Sequence, residues 1–127
     1  MSVAQENEAL WARAVEAGRA AAEAKVPVPM QVIQRANPWD DNSPIVKAYE
    51  PVMDGVCGFA WLTFSDGRKS FPRWAQKVGL ARKGYYGVSI WVSDYGQSME
   101  RKEAFAQAAA EVLREAGVRC YAQSRMD

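Results

Sequence analysis

The sequence predicts a single α+β domain in which a small mixed β-sheet is covered by two longer helices and one short helix. Three observations carry that prediction. Two stretches, from about Glu6 to Lys25 and from about Met99 to Ala116, are rich in alanine and repeat apolar residues at helical spacing. The run from Val56 to Phe64 is hydrophobic throughout, and Val88, Ile90 and Val92 alternate with Ser89, Trp91 and Ser93, as residues on the two faces of a strand do. These elements follow one another within 127 residues, a length that buries one core without metal or disulfide staples.

In the first helix, about residues 6–25, Leu10, Trp11, Ala14, Val15, Gly18, Ala21 and Ala22 form one stripe. Its small residues allow close approach, either to the chain's own core or to a second copy. A connector of about residues 26–55 holds five of the six prolines and is therefore read as extended pieces and turns. Within it Met30–Gln34 and Ile45–Tyr49 are candidate short edge strands. Between them Asn37–Pro44 reads as a solvated turn whose Asx side chains bond their own backbone, with Trp39 as the contact residue if this loop meets a ligand.

The core, about residues 56–123, begins with a central strand. Both of its alternating sets are largely apolar, which predicts a sheet covered on both faces. Ser70 is read as the cap of a short helix with Phe71, Trp74, Ala75 and Val78 toward the core and Gly79 at its end. Leu80–Gly84 is read as a basic loop leading into a strand that starts at Tyr85. The turn Asp94–Ser98 then opens the last helix, which buries Phe105, Ala109, Val112, Leu113 and Ala116 and stops at Gly117. Val118–Ala122 is the final strand. The last strand–helix–strand unit fits either a parallel crossover or an antiparallel return.

Composition narrows the chemistry. No apolar run is long enough to span a membrane, and the N-terminus has neither the basic flank nor the hydrophobic stretch of a secretion signal, so a cytosolic protein without a membrane partner is expected. Cys57 and Cys120 are isolated and read as reduced core residues. There is no histidine, which excludes Ser–His or Cys–His nucleophile activation and any His-containing zinc site. There is also no phosphate-binding or dinucleotide fingerprint, so no cofactor, metal site or catalytic residue is assigned. A metal-dependent phosphodiesterase or nuclease would have to hold its ion on oxygen ligands such as Asp94, Glu100, Glu103 and Asp127.

The net charge of +1 hides an uneven distribution. No acidic residue stands between Asp66 and Asp94, whereas Arg68, Lys69, Arg73, Lys77, Arg82 and Lys83 all do. Cations meet phosphates and aromatic rings stack on bases, so this block together with Tyr85 and Tyr86 predicts a nucleic acid or nucleotide ligand. The alternative is a solubilising face. Ser98, at the start of the last helix, joins the candidates as an anion contact, and a helix cap explains it equally.

The pieces G-V-C-G-F-A-W at Gly55–Trp61, S-I-W-V-S-D-Y-G-Q-S-M-E-R-K-E-A at Ser89–Ala104 and S-R-M-D at Ser124–Asp127 resemble a family of small bacteriophage-encoded proteins. The resemblance covers roughly Gly55 to the C-terminus. It implies a viral accessory protein in the host cytoplasm and supplies no catalytic residues. Two roles follow as expectations: a non-enzymatic protein that binds nucleic acid or nucleotide, or one that binds a host protein or its own copies through the first helix and the Trp39 loop.

Overall fold

The computed structural model describes residues 1–31, 33–53, 55–84 and 87–127. It is an α+β domain of three helices and two sheets. Helix α1 spans Val3–Ala24, beginning three residues before the start at about Glu6 that the sequence predicts. A capping box sets that start: Ser2 Oγ accepts from the Gln5 N–H at 3.2 Å and Gln5 Oε1 accepts from the Ser2 N–H at 2.9 Å. Asn7, Leu10, Ala14, Gly18 and Ala22 form its buried stripe, and the helix lies along α3 (Met99–Glu115). The close approach is seen at Gly18, where an added Cβ would stand 2.8 Å from the Phe105 ring. The small-residue stripe is thus used within the chain.

The proline-rich connector forms an arm with its own sheet. Strand β1 (Ile33–Arg35) pairs antiparallel with β2 (Ile45–Ala48), and a bridge between Met30 and Val52 closes the base. The candidate edge strands therefore pair with each other and not with the main sheet; Val32, within the first of them, lies outside the described residues. At the tip, Asn37 Oδ1 accepts from the Trp39 N–H at 3.1 Å and Asp40 Oδ1 from the Asn42 N–H at 2.9 Å, the Asx bonding expected there. The Glu100 carboxylate anchors the arm by accepting the Val28 N–H at 2.7 Å.

The main sheet has four strands, β3 (Gly58–Phe64), β4 (Arg82–Gly84), β5 (Gly87–Trp91) and β6 (Cys120–Met126), in the order β4-β5-β3-β6. Every hydrogen-bonded pair in it is antiparallel. Strands β5 and β6 consequently run in the same direction with β3 between them, so the last strand–helix–strand unit is a parallel crossover that skips one strand. With α2 (Ser70–Lys77) joining β3 to β4, the connectivity is β-α-β-β-α-β, the split-βαβ arrangement of ferredoxin-like sheets. Residues 82–84, read from sequence as a loop, form an edge strand; three exposed residues without apolar alternation carry no strand signal of their own.

All three helices lie on one face of this sheet. Gly58, Ala60, Leu62 and Phe64 of β3 point to it and are buried. Phe71 of α2 meets Phe64 at 5.7 Å and Trp11 of α1 at 6.2 Å, which places both helices over the same strand as α3. Lys69 is the N-cap of α2 and makes no side-chain cap bond; Ser70, expected to be that cap, is the first helical residue, and its hydroxyl accepts from Asn7 Nδ2 at 3.3 Å. Cys120 is a core residue under α3, where burial pushes its thiol pKa up, whereas Cys57, also expected in the core, is only half-buried; the two form no disulfide. No helix is long and apolar enough to cross a membrane, among the described residues.

Candidate functional site

The second face of the sheet is built from the other half of each alternation. The register sets Phe59, Trp61 and Thr63 of β3 beside Trp91 and Ser89 of β5 and Arg125, Gln123 and Tyr121 of β6, with Arg82 of β4 next to Ser89. Three rows cross the strands: Arg82, Ser89, Thr63 and Tyr121; then Trp91, Trp61 and Gln123; then Phe59 and Arg125. A sheet face was predicted here with a second covering layer, because Phe59 and Trp61 are apolar. The helices are all spent on the first face, and this one is open: Trp91 is 49% exposed and Tyr121 55%.

Its aromatic groups are ordered. Trp61 and Trp91 stack with ring centroids 4.6 Å apart and planes at 20°, and Phe59 meets Trp91 edge-on at 5.9 Å. Trp61 is held from β6, since its Nε1–H donates to Gln123 Oε1 at 3.0 Å, and the Thr63 hydroxyl donates to the same oxygen at 2.5 Å. The Ser65 hydroxyl bonds the Tyr121 hydroxyl at 3.1 Å. Arg125 stands 5.7 Å from the Phe59 ring centre, and buried Lys102, only 6% exposed, reaches the same ring at 5.5 Å while donating to the Gly58 carbonyl at 3.2 Å. The result is a fixed, half-exposed stack of rings with a cation at each side, Arg82 at the β4 edge and Arg125 at the β6 edge. Such a surface stacks planar π-systems and meets anions at its rim.

The sequence-predicted basic residues are not brought together. Arg68 is engaged by Asp66, Nε to Oδ1 at 3.1 Å and a second guanidinium nitrogen to Oδ2 at 3.2 Å. That guanidinium, then the Arg68 backbone N–H, holds the Asp66 carboxyl down at about 2. Arg73 and Lys77 are exposed on α2, on the helical side. In β4 the register divides the pair: Arg82 lies on the open face with Ser89, and Lys83 lies on the opposite face with Val88. Lys69 lines a separate groove of about 730 Å³ between α1, the start of α2 and the turn before β6, together with Arg13 and Arg119 but also Glu6 and Asp66. Tyr85 and Tyr86 lie outside the described residues. Ser98 is 1% exposed and its hydroxyl accepts from the Arg101 N–H at 3.3 Å, so it caps α3 and has no access to a ligand. Trp39, at the tip of the arm, is 94% exposed. Among the described residues no three of His, Cys, Asp and Glu form a metal-binding group, and the Glu100 carboxylate is already bonded to the arm.

Of the candidate residues, Arg82 alone lies on the open face among those described. Phe59, Trp61, Trp91, Tyr121, Gln123 and Arg125 were not singled out. For β3 and β5 the signal is the composition of each alternation: one set is Gly58, Ala60, Leu62 and Phe64 with Val88 and Ile90, and the other mixes aromatic rings with hydroxyl groups. A covered face has no use for that second mixture. Gln123 and Arg125 lie past Ala122, where the sequence ends its last strand signal, and β6 runs on to Met126 because it pairs with the whole of β3. Comparison with protein-family models, curated proteins and solved structures finds no match to this chain.

Proposed function

We propose that the protein is a non-enzymatic binder of single-stranded nucleic acid, with the open sheet face as its platform. The Trp61–Trp91 stack, with Trp91 half-exposed and Trp61 partly buried beside it, is the observation that carries this reading. Bases stack on aromatic rings whatever their sequence, each contact contributing about 1–3 kcal/mol, and four-stranded sheets with open aromatic faces bind unpaired bases in this way. A duplex hides its base faces and offers this surface only phosphates. Arg82 and Arg125 flank the stack where the backbone of a bound strand would pass. The same proposal sets this activity in the cytoplasm of an infected bacterium, a reading supported by the resemblance to small bacteriophage proteins.

The test is a titration of labelled single- and double-stranded oligonucleotides at two salt concentrations. Single strands bind and duplexes bind more weakly. Trp91→Ala weakens binding about 5- to 150-fold. Arg82→Ala and Arg125→Ala each lower the slope of log affinity against log salt by about 1. Equal affinity of wild type and Trp91→Ala for single strands rejects the platform.

A second reading, attachment to a protein partner, is favoured by the arm, where Trp39, Ile45, Val46 and Met53 are all exposed. Removing residues 36–43 in favour of a short turn separates the two readings, since nucleic-acid affinity is then unchanged.

A further inference from the structure

We propose that Gln123 gives the platform a base preference, selecting bases that present a carbonyl oxygen over those that present an amino group at the same edge. This rests on the nucleic-acid reading above. The carboxamide of Gln123 is oriented by a group with no choice: the indole Nε1–H of Trp61 only donates, so the atom it meets at 3.0 Å is the amide oxygen. The Thr63 hydroxyl fills the second acceptor position of that oxygen. What remains of Gln123 is its NH₂ group, which donates to nothing within the chain among the described residues, on a side chain exposed to solvent.

The surroundings make that group a reader of base edges. Gln123 lies on β6 between Tyr121 and Arg125, which project from the same face two residues to either side, about 7 Å away along the strand. A base seated over Gln123 has the half-exposed Tyr121 ring on one side and a guanidinium on the other. Held by two bonds, the amide cannot rotate to offer its oxygen without breaking the bond to Trp61. O4 of uracil or thymine, or O6 of guanine, accepts from it; at the same ring position the 4-amino group of cytosine or the 6-amino group of adenine meets a second donor and makes no bond there.

Uracil and cytosine supply the experiment, because they share their ring and differ along the edge that carries O4 or the 4-amino group. Short fluorescein-labelled oligomers of deoxyuridine and of deoxycytidine are titrated at neutral pH with wild type, Gln123→Glu and Gln123→Met. Wild type binds the uracil oligomer about tenfold more tightly, the ratio that one hydrogen bond gained against one left unmade supports. Gln123→Glu keeps an acceptor for Trp61 and Thr63 but presents an acceptor outward. It weakens both affinities through its charge and reverses the ratio. Gln123→Met presents neither and brings the ratio near one. Saturable binding of both oligomers by wild type with a ratio near one overturns the inference, as does a ratio that Gln123→Glu or Gln123→Met leaves unchanged, and in either case the platform stands. No saturable binding of either oligomer overturns the platform and the inference with it.

Discussion

At the scale of single residues, the charges of this chain are most informative where they already have partners. Arg68 belongs to the longest acid-free stretch of the sequence and is nevertheless engaged by Asp66 at its edge, through its side chain and its backbone N–H. Those bonds favour the ionised carboxylate, which is why its pKa falls from 3.8 to about 2. The sign follows from linkage: a depressed folded-state pKa favours the fold above the unfolded value of 3.8, and that contribution is lost as pH falls through about 2. Both groups are at the surface, so the measurable quantity is the pKa itself. An NMR titration of the Asp66 carboxyl gives a midpoint near 2 in wild type. In Arg68→Ala the midpoint moves part of the way back toward 3.8, because the backbone N–H remains. A midpoint that does not move removes the ion pair from the account and returns Arg68 to the free surface cations.

At the scale of elements, α1 and α3 are held by shape. Gly18 takes the Phe105 ring against its backbone, and that ring also meets Tyr95 at 6.1 Å. Gly18→Ala gains helix propensity of about 1 kcal/mol. It also drives a methyl group to within 2.8 Å of that buried ring, and overpacking of this kind costs about 1–3 kcal/mol. The net effect is a thermal midpoint lowered by a few degrees, partly recovered when Phe105→Leu is added; a midpoint that rises would mean that the helices separate without cost. This stripe, the long helices, the central strand and the Asx-bonded tip of the arm were legible in the sequence, because each repeats one period or one turn chemistry over many residues. The edge strand at 82–84 was not, since its bonds come from β5 and its residues have no pattern of their own. Nor was the open face. Phe59 and Trp61 look like core when only hydrophobicity is read, and whether a face is covered depends on how many helices remain to cover it.

At the scale of the whole molecule, one layer of helices on one face of the main sheet leaves the other face open, and five tryptophans report on the division. Trp11 and Trp74 pack around Phe71 on the helical side, Trp39 stands at the tip of the arm, and Trp61 and Trp91 form the stack on the open face. Each indole N–H gives its own proton–nitrogen NMR resonance, so one titration with a single-stranded oligonucleotide addresses all five positions at once. With the open face as the platform, the Trp61 and Trp91 indole resonances shift or broaden progressively, while those of Trp11, Trp74 and Trp39 stay in place. Shifts confined to Trp39, or no shift at Trp61 and Trp91 at saturating oligonucleotide, would contradict the platform.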